Sequence, residues 1–192
     1  SKLKLSDNLN FLIQIENEID PTDGRADGDK VFKQRNTFIG ISGNFGKFFV
    51  GTHDTAFKKA QLKVDLFNDT QSDIKNILRG ENRMQDLVGY ESPELFNGIK
   101  IVINNIKTSD KSYQSYSLNY NSDSFKASYS IDTGLKGYDS QRITSSYIFN
   151  KTTLGVIYQD SEKTTIGNNE SGYVYSIKHK ISKKGSLLFQ EA

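Results

Sequence analysis

The sequence predicts an all-β protein whose antiparallel strands form a transmembrane β-barrel. Three observations support this fold class. Apolar and polar residues alternate with period two in many short segments, the connections between these segments differ regularly in length, and the mean hydropathy is only −0.59. Successive side chains of a strand point to opposite faces of a sheet. A strand that lies between lipid and water needs apolar residues on one face only, which explains the low hydropathy.

The alternation is clearest in the second half of the chain. In residues 125–132, Phe125, Ala127, Tyr129 and Ile131 share one face, and polar residues occupy the other. Further segments that follow the same rule contain Gln114, Tyr116, Leu118 and Tyr120; Phe11, Ile13 and Ile15; Ile99, Ile101 and Ile103; Ile143, Tyr147 and Phe149; Leu154, Val156 and Tyr158; and Tyr173, Tyr175 and Ile177. We predict about eleven strands in total.

The connections between these strands alternate in length. Short turns are expected near residues 6–8, 43–45, 93–98, 121–124, 150–152 and 182–185. Longer polar loops are expected at 20–34, 54–82, 106–112, 133–139 and 161–171. Short turns at one end of a barrel and long loops at the other are typical of transmembrane barrels, in which the short turns are periplasmic.

One helical passage is predicted inside the longest loop, at residues 70–80. Ile74, Ile77 and Leu78 would share one helix face. Asp69 or Thr70 could cap its start, and Gly80 could end it.

Other classes of protein are excluded or disfavoured by composition. No apolar run approaches the roughly 20 residues of a spanning helix. The 25 basic and 23 acidic residues are interspersed, so the chain has no basic face for a nucleic-acid partner. It has no cysteine, and its two histidines, His53 and His179, lie far apart in the sequence and without convergent carboxylates. We therefore expect no metal, no cofactor and no enzymatic activity.

The loop 20–34 contains four acidic residues, but we do not predict a calcium-binding loop there. Asp20, Asp23, Asp27 and Asp29 lack the spacing of a calcium-binding loop. We expect at most weak binding of divalent cations there.

The chain is expected to be a single domain, residues 1–192, cut at both ends. It begins without methionine or an apolar signal segment and stops within an apolar-alternating pattern. The isolated sheet would have two unpaired edges and should aggregate.

Residues 34–98 resemble a known family. They read QRNTFIGISGNFGKFFVGTHDTAFKK, then DLFNDTQSDIKNI, then RMQDLVGYESPELFNGI, and LSDNLNFLIQIENEID precedes them. The order and spacing of these pieces resemble the general porins of Gram-negative outer membranes, which are trimers of sixteen-stranded barrels. The resemblance implies that the chain contains about eleven of the sixteen strands. It also implies a water-filled channel for the passive diffusion of ions and small hydrophilic solutes, contact with outer-membrane lipid, and a homotrimer.

The resemblance also implies where the pore is narrowest. Residues 54–82 correspond to the family's third loop, which folds inward and narrows the pore. The loop residues that the resemblance assigns to the constriction are Lys58, Lys59, Lys63, Asp65, Asp69, Asp73 and Arg79, and those of the opposing pore wall are Arg35 and Arg83. Opposed charges across a narrow lumen create a transverse field that orients polar solutes. Alternatively, these charges form only a solvated loop surface and strand-end anchors.

Three observations affect this expectation, and one is that this chain has Asp54, Thr55 and Ala56 where relatives have Asp-Thr-Pro. Many relatives have Gly-Arg where this chain has Gly51, Thr52 and His53, which weakens any expectation of strong anion preference. The segment 34–43 alternates imperfectly, so the direction of Arg35 stays open. A different class of function also stays open, a surface-exposed β-rich module that binds carbohydrate or mediates adhesion.

Overall fold

The computed structural model describes residues 1–19 and 31–192. Its elements, in chain order, are β1 (Lys2–Ser6), β2 (Leu9–Gln14), β3 (Asn17–Glu18), β4 (Lys33–Gln34), β5 (Thr37–Gly43), β6 (Gly46–Asp54), α1 (Ala56–Lys59), a 3-10 helix (Ile74–Asn76), β7 (Arg83–Glu91), β8 (Ile99–Lys107), β9 (Ser112–Asn121), β10 (Phe125–Leu135), β11 (Tyr138–Phe149), β12 (Thr152–Lys163), β13 (Asn169–Lys180) and β14 (Ser186–Glu191). The acidic residues Asp20, Asp23, Asp27 and Asp29 lie outside the described residues. No helix in the described part of the chain is long and apolar enough to cross a membrane.

The strands form one antiparallel meander. Twelve of them pair in the order β1-β2-β5-β6-β7-β8-β9-β10-β11-β12-β13-β14, and β3 pairs only with β4. Within the described residues, β1 and β14 are the two edges of this sheet. The all-β fold class is confirmed, and the main sheet has one strand more than the eleven predicted. In β1 only Leu3 and Leu5 carry the alternation, which makes this strand the least evident in the sequence.

The two faces of the sheet have opposite character, and the apolar face is the exposed one. We call the face that contacts the loop 55–82 the inner face. On the outer face Tyr129 and Ile143, which pair across β10 and β11, are 41% and 55% exposed. Their inward neighbours Ser130 and Arg142 are each 1% exposed. This arrangement is the reverse of that in a water-soluble sheet and suits a barrel wall with lipid outside.

The inner face of β5 to β8 departs from this rule, because it too is apolar. Phe38, Phe49, Leu87, Ile106 and Leu135 form a buried cluster there. The expectation that every strand turns only polar residues inward is therefore wrong for this part of the wall. The physical reason is that these side chains cover one another, which removes them from the water of the lumen.

Glycines make this inner cluster possible. A Cβ atom at Gly89 would lie 2.1 Å from Cζ of Phe49, and one at Gly40 would lie 2.9 Å from the Phe49 Cβ. The aromatic ring of Phe49 thus occupies space that any other residue at position 89 would need. His53 lies beside the rings of Phe38 and Phe49, at centroid distances of 5.1 and 4.6 Å.

All six short turns are confirmed, but three of the five loops predicted to be long are short. β10 and β11 are separated only by residues 136–137, β8 and β9 by 108–111, and β12 and β13 by 164–168. The strands continue into polar sequence because antiparallel pairing does not require apolar residues, as where Tyr138 pairs with Lys163. The sequence prediction ended these strands where polar residues begin, and it therefore made the strands too short.

The helical structure of the long loop also differs from the prediction. Only residues 74–76 of the predicted helix 70–80 are helical, as a 3-10 turn capped by Asp73. Ile74 and Leu78 are buried as expected, whereas Ile77 is exposed. The α-helix of this loop is α1, just after β6, where Thr55 caps a single turn.

Candidate pore constriction

The loop 55–82 is attached to the inner face at its amino-terminal end through backbone donors. The amide of Ala56 donates to Oδ1 of Asn104 at 2.6 Å, and that of Phe57 donates to Oγ of Ser115 at 3.0 Å. The first amides of a helix have no partner within the helix. Asn104 on β8 and Ser115 on β9 supply these partners, which fixes α1 against the wall.

The middle of the loop is attached by apolar packing. The residues involved, from the loop and from β12 and β13, are Val64, Ile74, Leu78, Ile157 and Val174. The wall is flat at the contact because it carries glycine. A Cβ atom at Gly155 would lie 2.9 Å from both γ carbons of Val64, and one at Gly172 would lie 2.8 Å from Leu78 Cδ2.

The carboxyl-terminal end of the loop is attached to a buried arginine on β11. The guanidinium of Arg142 donates to Oε1 of Gln159 (2.9 Å), to Oε1 of Glu81 (2.8 Å) and to the carbonyl oxygen of Arg79 (3.0 Å). It also lies 4.4 Å from the ring centroid of Phe57. A charged group that is hidden from water needs such a complete set of partners.

A fourth attachment brings the loop to the last strand of the sheet. Gln190 on β14 accepts a hydrogen bond from the amide of Leu66 at 2.7 Å and donates to the carbonyl of Ser72 at 3.2 Å. The loop is therefore bound to the same face of strands from β8 to β14. It lies across the inner face of the sheet.

A charged cavity of about 300 Å³ separates this loop from the wall at the end of the barrel that carries the long loops. Its residues come from β3, β4, the start of β7 and the loop. They are Glu18, Lys33, Arg35, Lys58, Asn68, Asp69, Asp73, Lys75, Glu81 and Arg83.

On the wall side, two arginines are held by carboxylates. Arg35 lies between β4 and β5, 2.9 Å from Glu16 Oε1 and 3.0 Å from Glu18 Oε2. Burial alone would lower the pKa of Arg35, but the hydrogen bond to Glu18 and the two carboxylates outweigh it, so the pKa is raised. Arg83 lies 3.1 Å from Asp54 Oδ1.

On the loop side, Asp73 organises the backbone. It accepts hydrogen bonds from the amides of Asp69 and Lys75, both at 2.8 Å, and lies 3.0 Å from Lys75 Nζ. Burial would raise the pKa of Asp73, but these donors outweigh burial and lower it. The hydrogen bond with Asp73 raises the pKa of Lys75. Burial raises the pKa of Glu81 despite the nearby Arg142.

Five of the nine residues assigned to the constriction from the sequence line this cavity, and four lie elsewhere. The five are Lys58, Asp69, Asp73, Arg35 and Arg83. Lys59 pairs with Glu91 at 2.5 Å, and Arg79 pairs with Glu170 at 3.1 Å. Asp65 accepts hydrogen bonds from loop amides, and Lys63 lines a different cavity.

The sequence assignment missed four charged residues of the cavity, which are Glu18, Lys33, Lys75 and Glu81. Lys75 and Glu81 belong to the loop already chosen, so treating every charge of that loop as a candidate would have found them. Glu18 and Lys33 become neighbours through the small β3–β4 pair, which no alternation pattern marks. Pairing between two-residue strands has no signal in one sequence.

The Gram-negative porin family model matches residues 2–182. The chain belongs to the Gram-negative porin family. This confirms the resemblance drawn from residues 34–98 and extends it over almost the whole chain. Membership places this porin in the bacterial outer membrane and confirms that it is not an enzyme, because the family and the fold are those of channels. No curated protein sequence matches the chain.

Solved porins share the fold at low sequence identity. The anion-selective porin from Comamonas acidovorans is 19% identical, with a TM-score of 0.82 over 98% of this chain and 65% of its own. OmpF of Salmonella typhi, solved with daunomycin, is 15% identical, with a TM-score of 0.74 over 99% of this chain and 69% of its own. OmpT of Vibrio cholerae, solved in a trimer form, is 13% identical, with a TM-score of 0.69 over 97% and 64%. This porin chain thus spans about two thirds of the length of these solved structures.

Proposed function

We propose that the full-length porin forms a water-filled channel through which ions and small hydrophilic solutes diffuse passively. The observation that carries this proposal is the charged cavity between the loop 55–82 and the wall. A loop attached across the interior by buried polar and apolar contacts narrows a passage without closing it, and the space left open is lined by charged groups.

The distribution of charge supports a weakly selective channel. Five basic residues, Lys33, Arg35, Lys58, Lys75 and Arg83, line the cavity together with four acidic residues, Glu18, Asp69, Asp73 and Glu81. Nearly equal numbers of opposite charges give little net preference for cations or anions. They still create a local field that favours polar over apolar solutes.

We also propose that the porin is a homotrimer whose outer face contacts outer-membrane lipid. The exposed apolar residues of the outer face support contact with lipid and with neighbouring subunits. The trimer form of Vibrio cholerae OmpT supports the number of subunits. The mass of the protein–detergent complex in sedimentation experiments tests this, and a mass of one subunit would contradict it.

Planar bilayer recording tests the channel. We expect stepwise increases in conductance when the purified full-length protein is added in KCl. Folded protein that inserts into the bilayer without any conductance step would refute the proposal.

Cysteine labelling tests the position of the constriction, because the chain has no native cysteine. Asn68→Cys places a thiol in the cavity, and Ile103→Cys places one on the outer face. A charged, water-soluble thiol reagent should lower the conductance of the Asn68→Cys channel and leave that of the Ile103→Cys channel unchanged. Equal responses of the two variants would contradict the proposed path.

A further inference from the structure

A second cavity, of about 570 Å³, lies on the other side of the loop 55–82. Its wall residues come from the ends of β10 to β14 that adjoin the short turns 122–124, 150–151 and 181–185. It therefore faces the end of the barrel opposite to the constriction cavity. Both cavities border the same loop, and Asn68 lines both of them.

Three lysines line this second cavity. Lys63 comes from the loop, Lys126 from the inner face of β10 and Lys178 from the inner face of β13. None of the three forms an ion pair with a residue in the described part of the chain. Three ammonium groups thus share one concave space without a carboxylate partner among residues 1–19 and 31–192.

The carboxylate that lines the cavity forms no ion pair with these lysines in the described part of the chain, so positive charge remains in excess. Of the described lining residues, only Asp65 is acidic, and it is 7% exposed. Its two oxygens accept hydrogen bonds from the amides of Phe67 and Ile74, at 3.0 and 3.5 Å. These hydrogen bonds of Asp65 stabilise the fold of the loop.

More positive charge surrounds the cavity at the same end of the lumen. Lys47 and Lys100 also lie on the inner face near short turns, next to residues 44–45 and 92–98. Glu91, an inward carboxylate of that wall, is shared by Lys47 at 3.2 Å and Lys59 at 2.5 Å. A cleft with low-dielectric walls and an excess of one sign of charge concentrates the electric field within it.

Four of the eight other lining residues of the cavity are aliphatic, and the other four are uncharged polar residues. Leu62 and Leu66 of the loop face Ile148 and Leu188 of the wall. A ligand that fits both features carries several negative charges on a carbon skeleton. The ammonium groups would bind its oxygens as charge-assisted hydrogen-bond donors.

We propose that this cavity is a binding site for small organic anions that carry two or three carboxylates. The site is entered from the end of the barrel with the short turns. The proposal rests on the proposed channel function, since the site opens into the lumen. It adds an anion site to a channel whose constriction is nearly balanced in charge.

Citrate serves as the probe in two measurements. In a planar bilayer, citrate added to one chamber should reduce the single-channel current in a concentration-dependent manner, and addition to the opposite chamber should reduce it much less. Isothermal titration of citrate into the purified full-length protein in detergent should give a saturable binding signal without need of a current. Conductance steps with neither block nor binding would overturn this inference alone, whereas absence of conductance steps overturns the proposed channel.

Variants of matched charge identify the site. In Lys63→Gln/Lys126→Gln/Lys178→Gln, the citrate concentration for half block should rise at least ~10-fold, because three partly exposed charge pairs are lost. The control Lys107→Gln/Lys111→Gln/Lys163→Gln removes three exposed lysines near the opposite end of the barrel and should leave the block unchanged. Equal sensitivity of both triple variants would overturn the assignment.

Two further comparisons keep the proposal falsifiable if the glutamine variant fails to fold. Lys63→Arg/Lys126→Arg/Lys178→Arg keeps the charges and should retain the block, and its loss in folded, conducting protein would overturn the charge argument. Inorganic phosphate should block more weakly than citrate because it cannot use the aliphatic lining. Equal block by phosphate would overturn the organic part of the proposal.

Discussion

Arg142→Met should release the carboxyl-terminal end of the loop 55–82 from the wall. Methionine keeps much of the volume of the side chain but removes the donors to Gln159, Glu81 and the Arg79 carbonyl. The Glu81 side chain, which is 7% exposed, would then be a buried carboxylate without its cation. Removing one partner of a buried ion pair costs about 3–5 kcal/mol.

The predicted cost is local and can be measured by hydrogen exchange. If the free energy of local loop opening falls by this amount, amide exchange in residues 79–82 should accelerate by roughly 100-fold or more, since every 1.4 kcal/mol changes the opening equilibrium tenfold. The exchange is followed by mass spectrometry on the folded protein in detergent. The strands β9 and β10 should keep their protection.

Two companion variants test the reason for the effect. Adding Glu81→Gln to Arg142→Met removes the unpaired charge and should recover part of the protection. Arg79→Gln removes a guanidinium that is 52% exposed and pairs with the equally exposed Glu170, so its effect should stay below about fivefold. Unchanged exchange in Arg142→Met, or equal effects of Arg142→Met and Arg79→Gln, would refute the anchoring role.

Two more predictions concern the inner cluster and the pH dependence of the loop. Gly89→Ala places a Cβ atom where the Phe49 ring lies and should destabilise the folded barrel by about 1–3 kcal/mol, measured by urea unfolding. The control Gly185→Ala meets only Ser182 Oγ at 3.3 Å and should have little effect, so equal losses would contradict the packing argument. The pKa of Asp73 is lowered in the folded loop, so its stabilisation is present above the ordinary value of about 3.9 and is lost as the pH falls through the lower folded pKa. The protection of amides 69 and 75 from hydrogen exchange should therefore decrease in acid. The variant Asp73→Asn should lack that acid transition. If the variant shows the same transition, another group causes it.

The architecture could be predicted from the sequence because the alternation is a strictly local property. Strands β8 to β13 each carry several apolar residues at period two, and a one-residue slip of the register would move them to the inner face. The strands β5 to β7 were harder to predict, because Phe38, Phe49 and Leu87 point inward and interrupt the alternation of apolar and polar residues. Only the contact of these side chains with one another and with Gly89 shows why apolar residues occupy both faces.

The charged site was partly predictable, for a different reason. The resemblance chose the correct loop, but which of its charges reach the open cavity depends on contacts between distant residues. Asp65 was a candidate by residue type, yet its oxygens accept hydrogen bonds from two loop amides. Arg142, which holds the loop in place, lies in an ordinary strand pattern and has no local signal for its role.

In the proposed channel, the ion preference would depend on both cavities, since they border the same loop from opposite ends of the sheet. His53 is buried beside the rings of Phe38 and Phe49, so it contributes no exposed cation to the candidate constriction. The constriction is nearly balanced, whereas the lysine cavity beyond it is not. The net formal charge of +2 for the whole chain does not reveal this difference in charge between the two cavities. In the proposed channel, an anion that enters from the short-turn end would therefore meet an attractive field first, whereas one that enters from the long-loop end would first meet the nearly balanced charges of the candidate constriction.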